Sequence, residues 1–299
     1  MSSLNTNASA MTALQTLAAT NKNLATTQSR ISTGFRVAEA KDNAAYWSIA
    51  TTMRSDNAAL ATVQDALGLG AGKLDTAYTG MNEVLSTVDK IKQKLVAAQG
   101  ASLTDQNKIA VEIEALQNHI ISVATNSNYA GSNLLKNDGT SDGTSNEWEI
   151  VASYNRDGTT VSIETIKFDV DEVQLLDDTD ANGLVGDVVD SALFDVSSAT
   201  DPISATDIAT ALQTVETALA ALADGAAKLG AAKSRVDLQK DFVSKLQDAI
   251  DRGIGQLVDA DMNKESSRLS ALQVQQQLGI QALSIANSNT QNILSLFRS

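Results

Sequence analysis

From Tyr46 to Leu95, apolar side chains return at alternating steps of three and four residues. The series runs Tyr46, Ile49, Met53, Asp56, Leu60, Val63, Leu67, Gly70, Leu74, Ala77, Met81, Val84, Val88, Ile91, Leu95, and only Asp56 and Gly70 interrupt it. A heptad repeat held this long selects a helix whose apolar seam faces another helix, and it excludes a strand. Taken from about Asn43 to Gln99, such a helix measures roughly 85 Å at about 1.5 Å per residue. No compact globule needs a rod of that length, so the seam must be covered by other rods.

Two further series supply them. Ile109, Ile113, Leu116, Ile120 and Val123 follow Thr104, read as an N-cap with Asp105 in the first turn. Beyond Pro202, the only proline, Ser204-x-x-Asp207 resembles a capping box with Asp in place of Glu. Apolar positions then run from Ile208 through Leu212, Val215, Leu219, Leu222, Ala226, Leu229, Val236, Val243, Ile250 and Ile254 to Leu257. Lys233, Lys240 and Gln247 recur every seven residues inside this stripe, where long stems can lie along a seam with their heads in water. The termini carry thinner stripes on an Asn/Thr/Ser/Gln background: Leu4, Met11, Leu14, Leu17, Leu24 and Ile31 at one end, and Leu269, Leu272, Ile280, Leu283, Leu294 and Phe297 at the other. Helices with so little apolar surface are marginal alone in water, so both ends are expected to order against each other or against another copy.

The net charge of −14 is not spread along the 299 residues. Residues 1–136 hold 11 Lys and Arg against 10 Asp and Glu, and residues 207–299 hold 9 against 10. Residues 137–206 hold 2 against 16, with the Gly/Asp clusters 137–145 and 177–183. That shift marks a domain boundary. Inside the block Trp148, Ile150, Ala152 and Tyr154 alternate, Asn155-Arg-Asp-Gly158 reads as a turn, and Val161 and Ile163 continue before the phase changes at Ile166, Phe168 and Val170. The pattern predicts a hairpin with a bulge near Glu164–Thr165. The fold class expected is mainly α: long antiparallel coiled-coil or helical-bundle arms from both termini, with a small β-rich (α+β) outer domain inserted. Three domains follow: 1–42 with 258–299, a helical core of 43–136 with 207–257, and the acidic, surface-exposed block 137–206.

Candidate chemistry is sparse. With no cysteine and His119 the only histidine, thiolate zinc sites, iron–sulfur clusters, cysteine nucleophiles and multi-histidine metal centres are excluded. The acidic balance argues against nucleic-acid binding, and no apolar run is long enough to span a bilayer. Residues Met1 to Ala10 lack the basic and apolar regions of a Sec-type signal peptide. Gly68, Gly70 and Gly72 before Lys73 miss the phosphate-loop spacing and are read as sites of close helix approach. Asp178, Asp180 and Asn182 match the first half of a calcium loop, a weak candidate because Val189 stands where the bidentate acid belongs. No acid–base–nucleophile set surrounds His119 or the acidic pairs. An enzyme is not expected, nor any cofactor.

Several stretches resemble bacterial flagellins. Ser29-Arg-Ile-Ser-Thr-Gly-Phe-Arg-Val-Ala-Glu-Ala-Lys-Asp-Asn-Ala-Ala-Tyr-Trp-Ser-Ile-Ala50 resembles their N-terminal signature. Leu4-Asn-Thr-Asn-Ala8 resembles their start, and Ile285 to Arg298 their ending. Asn128 to Leu135 is similar to the loop after their second core helix, and Asp42 to Ala50 looks most like alphaproteobacterial, rhizobial-type members. The resemblance implies a helical homopolymer, in which paralogous flagellins can take part, forming the extracellular filament of the flagellum. The terminal helices would line the channel as an inner tube, the long helices would form a second shell, and 137–206 would face solvent. Leu4, Met11, Leu14, Leu17, Leu24, Ile31, Leu269, Leu272, Ile280, Leu283, Leu294, Leu296, Phe297 and Arg298 would then carry self-assembly. The implied partners are the filament cap, hook-associated proteins, an export chaperone and the type III export apparatus, with no nucleic acid and no membrane insertion. Many flagellins meet a Toll-like receptor through an Arg and a downstream Leu on the first long helix. An ungapped comparison puts Lys90 and Lys94 there, with Glu112 keeping an acid, so weak activation is expected. The alternatives are a hook–filament junction protein and an adhesin displayed on similar arms.

Overall fold

The computed structural model describes residues 7–137, 147–158, 160–177, 182–190, 194 and 203–296, the side chains of 137 and 289–296 excepted. They form two compact units, residues 1–57 with 248–299 and residues 58–247. In chain order the elements are α1 (Ala8–Thr33), α2 (Ala44–Ala98), α3 (Leu103–Asn126), β1 (Asn128–Tyr129), β2 (Ser132–Asn133), β3 (Lys136–Asn137), β4 (Glu147–Asp157), β5 (Thr160–Asp169), β6 (Leu176–Asp177), α4 (Gly186–Val189), α5 (Ala205–Val258) and α6 (Met262–Leu296).

In the 58–247 unit the expected seams are buried. On α2 every series position from Leu60 to Leu95 is buried. On α5 the buried positions Ile208, Val215, Leu222, Leu229, Val236 and Val243 recur every seventh residue. Burying each such side chain stabilises the unit by roughly 1.5–3 kcal/mol. Ion pairs flank the seam: Lys92 to Glu216 at 2.5 Å and Lys233 to Asp75 at 2.5 Å. As one number rises the other falls, so α2 and α5 run antiparallel. The proximity of Asp75 raises the Lys233 ammonium above its ordinary value, first through the hydrogen bond between them. Lys240 is exposed and Gln247 half-buried. α3 lies antiparallel along α2 as well, pairing Lys94 with Glu112 and placing His119 Nε2 3.4 Å from Glu83.

The cap of α3 differs from the expectation. Ser102, not Thr104, holds the extended N-cap conformation, and its hydroxyl accepts from the Asp105 N–H at 3.3 Å. Asp105 sits three residues on, so Ser102-x-x-Asp105 repeats the arrangement at Ser204-x-x-Asp207, where the Asp207 N–H donates to Ser204 Oγ at 3.2 Å. In both, the serine hydroxyl also donates to the aspartate carboxylate, at 2.9 and 2.7 Å.

The insert is built on the same helices. β4 and β5 form the expected antiparallel hairpin, pairing Trp148 with Phe168 and Ile150 with Ile166. The register shift lies opposite Glu164 and Thr165, but the extra residue is Ala152 on β4. Pairing runs on through Asn155 with Ser162 to Asp157 with Thr160, so the reversal follows Asp157, where Gly158 takes φ +60°, rather than spanning 155–158. β5 keeps its alternation throughout. Val161 and Ile163 therefore lie on the face opposite Ile166 and Phe168, and Ile163 is 61% exposed. Two-residue β1 and β2 pair antiparallel, and β3 pairs parallel with β6. Val173, Leu175, Leu176, Val185 and Val188 are fully buried, so this part of the block helps form the core of its unit.

Three glutamines fasten the chain around that core. Gln117 Nε2 on α3 donates to the carbonyls of Val188 (2.8 Å) and Asp190 (3.2 Å). Gln106 accepts from the Ile203 N–H at 2.8 Å and donates to the Ala98 carbonyl at 3.2 Å. Gln239 on α5 donates to the Ala152 carbonyl at the bulge, at 2.9 Å. Gly70 and Gly72 on α2 make room for strand residues, not for another helix. A Cβ on Gly70 would meet Ile150 atoms at 2.8–3.2 Å and one on Gly72 the Tyr129 ring at 2.7–3.1 Å, while Gly68 has nothing within 4 Å.

Candidate assembly surfaces

In the other unit α1 and α6 pack as an antiparallel pair. The α1 side of the contact is Leu17, Thr20, Leu24, Thr27 and Ile31, with Thr20 and Thr27 the buried members. Threonine serves there because its hydroxyl can return to its own helix: Thr20 Oγ1 donates to the Thr16 carbonyl at 3.0 Å. The α6 side includes Glu265, Leu269, Leu272, Gln276 and Leu283, with Leu17 Cδ1 reaching to 3.2 Å of a Cβ built on Gly279. Polar rungs cross the pair at Arg30–Glu265 (3.4 Å), Gln276 to Asn21 Oδ1 (2.8 Å) and Asn7 to the Ala286 carbonyl (2.8 Å).

Of the residues expected to carry assembly, Leu17, Leu24, Ile31, Leu269, Leu272 and Leu283 therefore lie against the partner helix of the same chain. Met11, Leu14 and Ile280 do not. They are 64%, 59% and 54% exposed, on faces that the α1–α6 contact leaves open. Val274, Leu278 and Ile285 are exposed as well. Leu294 and Leu296 belong to α6 without described side chains, and Leu4, Phe297 and Arg298 lie outside the described residues. Thr20, Thr27 and Glu265 were not apparent in the apolar stripes. The three-four spacing that places both threonines in line with Leu17, Leu24 and Ile31 is the signal that would have found them.

The stretch Ser29–Ala50 is a joint. Gly34 ends α1 with φ +79°, its N–H returning to the Arg30 carbonyl at 2.9 Å. Asp42 accepts from the N–H groups of Ala38 (3.1 Å) and Glu39 (3.2 Å), and Asn43 caps α2 by accepting from the Tyr46 N–H at 3.2 Å. The Arg36 N–H donates to the Val258 carbonyl at 2.6 Å, and the Ala260 N–H to the Gly34 carbonyl at 2.9 Å. Val37, Ala50, Ile254 and Val258 form a small core beneath. Burial of Ala50 turns Tyr46 and Ile49, expected in the seam, outward, so both are exposed. Arg36 lies over the Tyr46 ring and Arg54 over Phe35.

Elsewhere, Lys94 is engaged by Glu112 and Lys90 is exposed. Asp178 and Asp180 fall outside the described residues. Asn182 donates to Asp177 Oδ2 at 2.6 Å. Among the described residues no three His, Asp or Glu side chains gather as a metal site, and no helix is long and apolar enough to cross a membrane.

Paired terminal helices joined through a capped, stapled motif are a pattern that can be compared with known families. The model of the bacterial flagellin N-terminal helical region matches residues 4–140, and that of the bacterial flagellin C-terminal helical region matches residues 212–297. The chain belongs to the bacterial flagellin family. A flagellin of Brucella melitensis biotype 1 is 59% identical over 298 residues, covering 100% of both chains. Flagellin C of Rhizobium meliloti strain 1021 is 48% identical over 327 residues, again covering 100% of both. A solved structure described as a flagellar hook-associated protein from Vibrio parahaemolyticus shares the fold, with a TM-score of 0.56 over 73% of this chain and 100% of that one, at 14% identity. This flagellin is a structural subunit of the flagellar filament, and its service to the cell is swimming motility.

Proposed function

We propose that the α1–α6 pair is the polymerising element, joining copies of this flagellin side by side into the extracellular filament. One observation carries the reading. The pair uses Leu17, Leu24, Leu272 and Leu283 to hold itself together, yet leaves Met11, Leu14, Leu278 and Ile285 uncovered. Apolar side chains left in water on marginal helices are a drive to associate. Residues 1–42 and 258–299 would form the channel-lining tube, with Leu4, Leu294, Leu296, Phe297 and Arg298 at its ends. The helical core 43–136 with 207–257 would form the surrounding shell, and the acidic block 137–206 its outer coat. The near-neutral arms support that order, because like charges held in a repeated packing surface would repel.

Export through the type III apparatus with a chaperone, and assembly under a cap onto hook-associated proteins, complete the proposal. Leu278→Asp, Leu294→Asp or Phe297→Asp should abolish sedimentable polymer while leaving the 58–247 unit with its normal melting point. Normal filaments from all three would refute the assignment. The Lys94–Glu112 pair occupies two of the three side chains that the receptor comparison singles out, which supports weak Toll-like-receptor activation. Strong signalling from purified monomer at low concentration would contradict that.

A further inference from the structure

The apolar contacts of the α1–α6 pair repeat with the heptad, so they carry little information about register. Leu17 and Leu24 are seven residues apart on α1, as are Leu272 and Gly279 opposite them on α6. A slide of one heptad, about 10.5 Å along the axis, exchanges one small or aliphatic neighbour for another. The polar contacts do not repeat. Among the described residues, Glu265 is 7% exposed, its one cation is Arg30 at 3.4 Å, and its second carboxylate oxygen is buried with no hydrogen-bond partner. Slid one way, Glu265 comes opposite Leu24. Slid the other way, it passes beyond the end of α1 at Thr33. Either slide breaks the main-chain bonds of the joint, Ala260 N–H to the Gly34 carbonyl among them, and also leaves a buried carboxylate without its cation, a far larger penalty than a mispaired leucine.

We infer that Arg30–Glu265 is a register lock of the terminal helices, a positioning contact that, with the main-chain bonds of the neighbouring joint, decides which levels of α1 and α6 stand opposite one another. In the locked register exposed Met11 stands level with exposed Ile285, as Asn7 does with Ala286 nearby. The two helices then present their uncovered apolar side chains to a second copy at one level, and a heptad slide separates them by two turns. That consequence rests on the polymerising role proposed above, whereas the lock itself is a property of the single chain.

The chain has no cysteine, so introduced pairs report register without background. A Cβ on Gly279 lies 3.9 Å from the Leu17 Cβ, a separation a disulfide accepts. In the soluble full-length protein under mild oxidation, Leu17→Cys with Gly279→Cys should close several-fold faster than Leu17→Cys with Ala286→Cys or with Leu272→Cys, which close only after a slide. Adding Glu265→Leu should slow the in-register closure and narrow the difference between the three rates. The exchange Arg30→Glu with Glu265→Arg should restore the original preference. An unchanged preference in Glu265→Leu, an exchange that restores nothing, or no closure of the in-register pair in the otherwise unsubstituted chain would each overturn the lock. Sedimentation is scored separately. An unsubstituted chain that forms no polymer would refute the assembly reading while leaving the closure rates readable.

Discussion

Gly68→Ala and Gly70→Ala place the same methyl group two residues apart on α2, and the structure assigns them opposite signs. Each replaces glycine in a helix interior by the best helix former, a gain of about 1 kcal/mol. At Gly68 nothing lies within 4 Å, so the whole gain should appear. At Gly70 the new methyl would sit 2.8 Å from Ile150 Cδ1, 3.0 Å from Cγ2 and 3.2 Å from Cγ1. Ile150 is buried in β4 and branched at Cβ, so it has few rotamers to retreat into. Overpacking of this kind costs about 1–3 kcal/mol, which leaves a net loss of about 1 kcal/mol. For a unit of this size each kcal/mol moves the midpoint by roughly 2–4 °C. Gly68→Ala should therefore melt about 2–4 °C above the parent and Gly70→Ala about as far below it. Thermal unfolding of dilute monomer is the assay, since polymer would make the midpoint concentration-dependent. With Trp47→Phe, fluorescence comes from Trp148 alone, which packs against Lys73 three residues beyond Gly70. Ile150→Val removes the nearest clashing carbon, so combined with Gly70→Ala it should recover about 1 kcal/mol beyond additivity. Equal gains from both alanines, or strict additivity with Ile150→Val, would refute the close-approach argument.

Ser102→Ala should lower stability by about 1 kcal/mol and Thr104→Ala by little, which locates the α3 cap by chemical denaturation. Gln117→Leu strips the donor from the carbonyls of Val188 and Asp190, the first bond buried, and should destabilise the 58–247 unit by about 1–3 kcal/mol in the same assay. Acid should act through Asp105, held below its ordinary value by the Ser102 hydroxyl and then Lys108, and through Glu149, held down by Lys167. A carboxyl more acidic when folded stabilises the fold above its unfolded value, and that contribution disappears as pH falls through the folded one. Asp105→Asn should accordingly lose less of its midpoint than the parent between roughly pH 5 and 3, and an identical loss would exclude the mechanism.

The long seams were legible because a heptad needs only its period: Leu60 to Leu95 on α2 and the sevenfold series on α5 are buried as read. The reading failed where burial depends on a neighbour distant in sequence. Tyr46 and Ile49 fit the period, yet the joint buries Ala50 against Val37 and Ile254 and turns them out. Thr20 looks polar in any hydropathy pattern, but once its hydroxyl bonds its own helix it packs as an apolar group. Glu265 is intelligible only beside Arg30, 235 positions away. The hairpin was foreseen and its faces were not, since strict alternation does not say which face meets a helix. For the same reason removal of residues 140–200, which a purely external block would tolerate, should unfold its unit. Such a deletion takes away Val173, Leu175, Leu176, Val185 and Val188.

The glutamine contacts also bear on how this molecule can change over generations. Gln106, Gln117 and Gln239 each grip main-chain atoms, those of Ala98, Ala152, Val188, Asp190 and Ile203. A carbonyl or an N–H is offered by almost any residue, so these grips place no demand on the side chains they hold. The insert's outer surface can thus change in sequence while its anchorage stays the same.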